Sequence, residues 1–422
     1  MLRIEFLGAM ACVGASGVLV ENGRARFILD YGTKIREIPP KFPIKVKGNI
    51  DAIFLSHAHL DHSGGLAIFE SGGKKVPIYS LDVSKPLTEL LLLDSIKVSR
   101  EEGVELPFTK NDVERTISNF KIINYRKGIE LFGSKIRFFD AGHIPGSAQI
   151  FLDMGEKTLL YSGDIKLSNT RLLKKADLKL PNVDILITES TYADREHPNR
   201  KEQEKEMIRM IEETLAKNGK VIIAAFAVGR SQEVLLILNK YGIDYPLYLD
   251  GMAKKATTII NKFPKRLRER KLLDKVLRNV EYVKGERMRK RIIKEPSVIV
   301  TTSGMLNGGP IVWYLKKLHK DMNSSLILTG WQLEGTPGRI LLETGRYINE
   351  EEGLDFEVKM KVKRFDFSAH AGRSELLNYI NRISPQTIFV IHGDHTEEFA
   401  VELREMGFDA IAPIANNRVF NF

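Results

Sequence analysis

The chain has little of the chemistry that builds disulfides or cysteine-rich metal modules, since its 422 residues include a single cysteine, Cys12. One cysteine excludes an intramolecular disulfide framework and any zinc module built on several thiolates. It fits a reducing compartment, and we expect a cytoplasmic protein. Any bound metal must therefore use histidine and carboxylate side chains.

Long hydrophobic runs are also missing from the sequence. No stretch supplies about 18 uncharged apolar residues, which is what a membrane-spanning helix needs, and the first segment, MLRIEFLGAM, already carries Glu5. We therefore expect no membrane segment. The chain also has no low-complexity segment and no fixed-period repeat. Its length exceeds a comfortable single domain, so two domains are expected.

The charge of the chain has a basic excess, because Lys and Arg outnumber Asp and Glu by 64 to 54, for a net charge of +10. A basic surface suits a polyanionic partner such as a nucleic acid, but it is also compatible with an ordinary solvated surface. The chain has nine histidines. Their uneven distribution is more informative than the net charge.

The pattern of apolar residues changes twice along the chain. Short β-type runs such as RFILDYG and DILITES dominate up to about residue 190. From about residue 199, helical and strand patterns alternate as in a Rossmann-like domain, and the first pattern then returns. This order predicts one domain inserted into another, with a first domain at 1–194 and 367–422 and an inserted domain at 195–366.

The segment LSHAHLDHSG places His57, His59, Asp61 and His62 within six positions, directly after the apolar run DAIFLS. Side chains two apart on an extended segment point the same way, so the first two histidines can bind one ion. The other two residues can reach a second ion. Such crowding is costly in repulsion and desolvation unless a cation compensates. The segment therefore predicts a dinuclear site, with two Zn²⁺ as the expected ions.

Two ions need more ligands than this segment holds, and the ends of other predicted strands supply them. His143, Asp164 and His392 each follow a predicted strand. Asp30 lies at another strand end, where it is better placed to orient a metal-binding histidine than to bind metal itself. Taken alone, His143 or Asp164 would be interpreted as an ordinary hydrogen-bonded loop residue.

These residues resemble the motifs of the metallo-β-lactamase fold and, within it, the β-CASP ribonucleases. SHAHLDHSGG is similar to the signature metal motif, and RSQEVL, TTSGML and GWQLEGTPGR strengthen the match. Six further positions match other motifs of these families: Asp30, His143, Asp164, Glu189, His370 and His392. The similarity covers essentially the whole chain and points to ribonucleases that resemble the archaeal cleavage and polyadenylation specificity factor.

The resemblance implies a fold and a set of metal ligands. The fold would be α/β, a metallo-β-lactamase αββα sandwich with an inserted Rossmann-like β-CASP domain. One Zn²⁺ would be bound by His57, His59 and His143. The other would be bound by Asp61, His62 and His392, and Asp164 would bridge the two.

The resemblance also implies an activity, the hydrolysis of RNA phosphodiester bonds by a metal-bound hydroxide. His370 and Glu189 would form the general-acid pair, and we count the ligand Asp61 among the catalytic residues. In the DNA-directed branch of the family the position of His392 is typically valine, so histidine favours single-stranded RNA. We expect endonucleolytic cutting that leaves 5'-phosphate and 3'-hydroxyl ends.

Glycine-rich turns in the inserted domain are candidates for binding RNA phosphates, since backbone N–H groups at such turns attract anions. The candidate contacts are Arg230, Ser303, Gly304 and Arg339. Similar turns are common in any Rossmann-like domain, so a purely structural role is an open alternative. Trp331 is suited either to stacking on a base or to the core.

Two other functions fit parts of the pattern. A small-molecule ester or thioester hydrolase could use the same metal motif, but it has no need of the insertion. A non-catalytic RNA-binding scaffold would be expected to have lost ligands, and none is missing. Small departures from the family pattern, at Asp394 and Ala193, remove neither a ligand nor a catalytic group. We also expect no KH module before the first strand, no additional C-terminal domain, and a homodimer.

Overall fold

The computed structural model describes residues 1–34, 37 and 39–422. It contains two compact units. The first consists of Met1–Asn169, Lys174–Glu196 and His370–Phe422, and the second consists of Thr170–Leu173 and His197–Ala369. The first unit is thus interrupted in sequence by the second.

The elements are given in chain order. The first part of the first unit contains β1 (Arg3–Phe6), β2 (Gly17–Glu21), β3 (Arg26–Tyr31), β4 (Ala52–Phe54), α1 (Leu60–Ser63), α2 (Ala67–Ser71), β5 (Ile78–Ser80), α3 (Ser84–Glu101), α4 (Lys110–Ser118), β6 (Phe120–Ile122), β7 (Gly128–Leu131), β8 (Ser134–Asp140), β9 (Ala148–Asp153), β10 (Thr158–Tyr161) and β11 (Ile185–Glu189). The second unit contains α5 (Arg200–Leu215), β12 (Lys220–Ala224), α6 (Arg230–Tyr241), β13 (Leu247–Leu249), α7 (Ala253–Asn261), a 3₁₀ turn (Pro264–Arg266), α8 (Leu272–Leu277), β14 (Val280–Tyr282), α9 (Glu286–Ile292), β15 (Ser297–Thr301), α10 (Pro310–Leu318), β16 (Ser325–Leu328), α11 (Pro337–Thr344), β17 (Arg346–Asn349), β18 (Leu354–Glu357) and β19 (Lys361–Arg364). The first unit resumes with α12 (Arg373–Ile383), β20 (Thr387–Ile391), α13 (Thr396–Glu405), β21 (Asp409–Ile411) and β22 (Val419–Asn421).

Two seven-stranded sheets form the first unit. Their orders are β22-β1-β2-β3-β4-β5-β6 and β21-β20-β11-β10-β9-β8-β7. Apolar side chains from both sheets share one core, in which the Phe6 and Phe389 rings lie 4.9 Å apart. Helices α3 and α4 cover the outer face of the first sheet, and α12 and α13 cover that of the second. This is the αββα sandwich predicted from the sequence.

The carboxyl ends of three strands meet at one edge of the second sheet. β10, β11 and β20 are adjacent and mutually parallel. Asp164 follows β10, Glu189 ends β11, and His392 follows β20. Parallel neighbours end at the same edge, so these three side chains converge although up to 228 positions separate them in sequence.

The second unit is built on a parallel six-stranded sheet of order β14-β13-β15-β12-β16-β19. Alternate residues of its central strands, among them Ile222 and Ile299, pack in one cluster with Ile311 and Leu315 of α10. The buried side chains of α5 and α6 lie outside that cluster. Helices therefore cover both faces, which confirms the Rossmann-like prediction for the inserted domain.

The apolar chain end packs on its own unit. β22 pairs antiparallel with β1, and the Phe389 ring lies 4.7 Å from Phe420 and 6.1 Å from Phe422. In the part of the chain that the structure describes, no helix combines the length and apolar character needed to cross a membrane.

Candidate metal centre and catalytic site

The histidine-rich segment lies at the end of β4, where the chain turns into the short helix α1. His57 is fully buried and His59 precedes α1, which carries Asp61 and His62. A Cβ at Gly32 would lie 1.7 Å from the backbone oxygen of Asp61. Glycine is therefore required where the end of β3 passes under this segment.

Asp164 stands between two groups of histidines. Its Oδ2 lies 3.4 Å from Nε2 of His57 and 3.5 Å from Nε2 of His143. Its Oδ1 lies 3.2 Å from Nε2 of His62 and 3.5 Å from Nδ1 of His392. Each oxygen thus faces a different pair of imidazoles, which is the arrangement expected of a carboxylate that bridges two cations.

The seven predicted ligands form two overlapping groups whose ligand atoms lie within 4.8 Å of one another. One group contains His57, His59, His143 and Asp164, and the other contains Asp61, His62, Asp164 and His392. Within these two groups, three buried atoms of described residues have no hydrogen-bond partner: His57 Nε2, Asp164 Oδ1 and His392 Nε2. Buried polar atoms normally have partners. Donor type, grouping and these three atoms all fit a pair of metal ions.

Asp30 orients His62, one of the two histidines of the second group. Its carboxylate accepts hydrogen bonds from Ser56 N and Oγ at 2.6 Å, from Tyr161 Oη at 2.8 Å and from Nδ1 of His62 at 2.6 Å. With its Nδ1 proton directed at this carboxylate, His62 turns Nε2 toward Asp164. Asp30 has a left-handed φ of 56°, which is unusual for a non-glycine residue.

Two of the buried histidines, His57 and His62, have pKa values shifted in opposite directions. Burial lowers the pKa of His57 well below its ordinary value, and His62 adds to this effect. Burial opposes the charged form of His62 as well, but Asp164, Asp30 and Asp61 outweigh it and raise the pKa of His62 well above the ordinary value. Three carboxylates around one imidazole make this part of the site strongly attractive to a cation.

His370 and Glu189 form a pair beside these groups. Nδ1 of His370 lies 3.1 Å from Oε1 and 3.0 Å from Oε2 of Glu189. The backbone N–H of Ile165 donates to Glu189 Oε1 at 2.7 Å, and the Lys166 ammonium donates to the carbonyl oxygen of His370 at 2.8 Å. Hydrogen bonds therefore hold His370 at both its imidazole and its backbone carbonyl.

The same surroundings favour the protonated form of His370. Burial opposes it, but the Glu189 and Asp164 carboxylates outweigh burial and raise the pKa of His370. The His370 ring lies 4.5 Å from that of His143. A protonated imidazole with one nitrogen bound to a carboxylate is suited to donate a proton from the other.

Three family models match successive parts of the chain. The Beta-Casp domain matches residues 231–341, the Zn-dependent metallo-hydrolase RNA specificity domain matches 355–413, and the Anti-Pycsar protein Apyc1 model matches 11–197. The chain is also 39% identical to "Probable RNase MJ4" of Methanocaldococcus jannaschii, over 99% of this chain and 100% of that protein. The chain belongs to the β-CASP ribonuclease family of the metallo-β-lactamase fold.

Other proteins extend this comparison. The chain is 36% identical to "RNase aCSPSF2" of Saccharolobus solfataricus, over 97% of this chain and 83% of that protein. It is 33% identical to "Transcription termination factor FttA" of M. jannaschii, over 96% and 69% respectively. A crystal structure of a protein of unknown function from Enterococcus faecalis has a TM-score of 0.61 with 14% identity over 99% of both chains, which supports the fold alone.

In the β-CASP unit, the predicted RNA contacts follow neighbouring parallel strands. Arg230 starts α6 after β12, Ser303 and Gly304 follow β15, and Arg339 lies in α11 after β16. β12 and β15 are adjacent, and their following helices α6 and α10 pack on opposite faces. Ligands in open α/β sheets bind at such switch points, outside the carboxyl ends of the strands.

An aromatic side chain that we did not predict lies at this switch point. Phe226 is 40% exposed, and a Cβ at Gly304 would come within 3.1 Å of its backbone nitrogen and 3.3 Å of its ring. Gly304 therefore allows the two loops to approach closely. The sequence run FAVGRS could have indicated Phe226, since it places an aromatic residue directly after a buried strand. We selected only Arg230 from this run.

Trp331 is partly exposed and is not a core residue. Its ring centroid lies 4.8 Å from the guanidinium carbon of Arg364 and 5.7 Å from that of Arg339. Both guanidiniums lie within cation–π distance of the ring and help to hold the indole. The sequence did not indicate Arg364, because this residue ends β19 and comes close to Trp331 only when β19 pairs with β16.

The remaining histidines differ in their surroundings. His319 Nδ1 donates to the carbonyl oxygen of Glu357, 2.9 Å away, and the His395 side chain is 50% exposed. His197 lies in a loop, its side chain is 15% exposed and its Nδ1 lies 3.2 Å from Asp366. Burial opposes ionisation of Asp366, but His197 outweighs it and lowers the pKa of that carboxyl.

Proposed function

We propose that this chain is a dinuclear zinc ribonuclease that hydrolyses phosphodiester bonds of single-stranded RNA. The observation that carries the proposal is the position of Asp164, whose two oxygens face two separate groups of histidines. Two relatives with at least 36% identity are named as RNases.

In this proposal, one ion is held by His57, His59, His143 and Asp164, and the other by Asp61, His62, His392 and Asp164. Asp30 keeps His62 in the required tautomer through its 2.6 Å hydrogen bond. Two zinc ions, when bound, lower the pKa of a water molecule and offset the negative charge of the phosphoryl oxygens. All seven ligand residues lie within the first unit.

A side chain of the protein protonates the leaving group. His370 holds a proton because Glu189 accepts from its Nδ1, and its Nε2 donates to the departing ribose oxygen. Lys166 fixes the backbone of His370 by donating to its carbonyl oxygen. Since water is the attacking group, the RNA 2'-hydroxyl is not needed as nucleophile, and the products carry 5'-phosphate and 3'-hydroxyl ends.

Substrate binding is assigned to the second unit. Arg230, Ser303, Gly304 and Arg339 bind RNA phosphates, and Phe226 offers an exposed ring on which a base can stack. The domain boundaries after residues 194 and 366, endonucleolytic cutting, a homodimer and a cytoplasmic location belong to the same proposal.

The experiment that tests this function compares three substrates: a circular RNA, a DNA of the same sequence and a chromogenic ester. We expect cleavage of the RNA circle, loss of that cleavage with EDTA and recovery with added zinc. His319→Ala is the matched control, since this histidine lies outside the site. If the ester is hydrolysed and the RNA stays uncut, the protein is a small-molecule hydrolase and the ribonuclease proposal is wrong.

A further inference from the structure

The basic excess of the chain is concentrated in one segment of the second unit. Residues 254–294 contain 16 Lys or Arg and 4 Asp or Glu, a net charge of +12, whereas all other residues together contain 48 and 50, a net charge of −2. The net charge of +10 therefore comes from these 41 residues. We call this segment the basic rim.

The basic rim follows one edge of the parallel sheet. It contains most of α7, the 3₁₀ turn, α8, the edge strand β14 and α9. Buried side chains fix it to the unit, among them Leu267, Leu273, Val276 and Ile292. The cations thus lie on folded structure with defined spacing.

Most of these cations are exposed. Thirteen of the sixteen have exposed side chains: Lys255, Lys262, Lys265, Arg268, Arg270, Lys271, Lys275, Arg278, Lys284, Arg287, Lys290, Arg291 and Lys294. Three of them pair with carboxylates, namely Arg278, Lys290 and Arg291. Among the described residues, the other ten have no carboxylate oxygen within 4.0 Å. Their charge is therefore not neutralised locally.

Several cations of the second unit that lie outside the basic rim pair with carboxylates. Lys361 lies 3.1 Å from Glu213, and Lys363 forms an ion pair with Glu206. A general enrichment in surface ion pairs would give the basic rim similar partners. An excess of unpaired like charge on a folded surface is instead typical of a site for a polyanion.

Protection of the sheet edge is the simplest alternative explanation, because lysines on an edge strand prevent pairing with another chain. However, the exposed residue of β14 is Glu281, and the cations lie on the flanking helices and turns. Edge protection does not require charges there.

We propose that the basic rim binds the sugar–phosphate backbone of RNA outside the bond that is cut, as a second RNA-binding surface of the chain. This inference rests on the proposed function, since RNA is the polyanion which that function brings to the protein. Exposed Lys and Arg side chains bind phosphates and do not contact base edges, so the basic rim should bind RNA of any sequence.

The test uses the full chain with His370→Ala, so that RNA is bound and not cut. Lys262, Lys271 and Lys275 are changed together to Ala, and the control changes Lys121, Lys127 and Lys135, three exposed lysines of the first unit. Fluorescence anisotropy at several salt concentrations gives the affinity for a long RNA and for a short RNA that spans only the cleavage site. Thermal unfolding verifies that both triple variants are folded.

We expect the rim variant to bind the long RNA more weakly, with a log–log salt slope flatter by about 2, since each phosphate contact contributes about 0.7 on single strands. The short RNA should bind the rim and control variants equally. Equal long-RNA slopes for the two variants would overturn the proposal. Displacement of the long RNA by polyglutamate as effectively as by unlabelled RNA of equal charge would overturn it in favour of an acidic protein partner.

The outcome is separable from that of the proposed function. If the protein without His370→Ala leaves RNA uncut, the ribonuclease proposal fails, and the anisotropy comparison still decides whether the rim binds RNA. If RNA is cut but the rim variant retains the salt slope of the control, the ribonuclease stands and the second surface fails.

Discussion

His370 presents its Nδ1 to both carboxylate oxygens of Glu189, at 3.1 and 3.0 Å. Glu189 ends β11, whereas His370 lies 181 positions later, after the insertion. Because Glu189 engages Nδ1, the proposed reaction assigns proton donation to Nε2. In the proposed reaction, the pair acts as the proton donor and the neighbouring histidines act as metal ligands.

His370→Ala should slow RNA cleavage on the order of 100-fold to 10,000-fold, which is the usual contribution of a positioned acid. Metal content and RNA affinity should stay unchanged, because the variant keeps all seven predicted ligands. Single-turnover cleavage and elemental analysis measure the two properties. Loss of zinc in this variant would make His370 a ligand.

Glu189→Gln tests what the carboxylate of Glu189 contributes beyond the imidazole of His370 that it orients. The amide removes the negative charge that raises the pKa of His370, so the imidazole is less often protonated. We expect cleavage to slow by a smaller factor than in His370→Ala, and the double variant to be no slower than His370→Ala alone. Rate losses that multiply in the double variant would show that the two residues act independently.

Asp30→Asn tests the support of His62. The carboxylate accepts from Ser56, Tyr161 and His62, and an amide cannot accept at all of these positions. Zinc affinity should fall about 10-fold to 100-fold, as is usual when a partner of a metal-binding histidine is removed. Competition with a chromophoric chelator measures this affinity. Asp274→Asn, at an exposed carboxylate, is the control and should bind zinc as the unsubstituted protein does.

The αββα sandwich was predicted from the resemblance of the motifs to the metallo-β-lactamase fold, whereas helix and strand periodicity predicted the inserted Rossmann-like domain because such periodicity is a local signal. Asp164 and His392 were found for the same reason, since each follows an apolar strand. Contacts made only by folding were missed. Tyr161 reaches Asp30 across 131 positions, and Arg364 reaches Trp331 through the pairing of β16 with β19. No residue pattern near either position indicates these partners.

Asp250 provides a test of stability that is independent of the metal site. It is fully buried in the second unit and accepts from Arg289 Nε at 2.7 Å and Tyr314 Oη at 3.0 Å. Burial opposes its ionisation, but the hydrogen bond from Arg289 and its other partners outweigh burial and lower the pKa of the carboxyl. Breaking such a buried pair costs about 3–5 kcal/mol, so Asp250→Asn should lower the free energy of unfolding at neutral pH by that order.

The sign of the pH dependence follows from the lowered pKa. The stabilisation is fully present above the pKa of the unfolded carboxyl and is lost as pH falls through the lower folded value. The difference between the unsubstituted protein and Asp250→Asn should therefore shrink as the solution is acidified below about pH 4. Urea unfolding followed at several pH values measures it, with Asp274→Asn as control. A difference that stays constant with pH would assign the loss to packing.

The proposed dinuclear site depends most directly on Asp164, which would be shared by the two metal ions. Elemental analysis of the unsubstituted protein and of Asp164→Ala, combined with RNA cleavage by the same samples, tests this relationship. We predict two zinc ions per chain in the unsubstituted protein, and reduced zinc with no cleavage in the variant. Two zinc ions retained in Asp164→Ala, or full cleavage by a protein that holds a single ion, would contradict the dinuclear assignment.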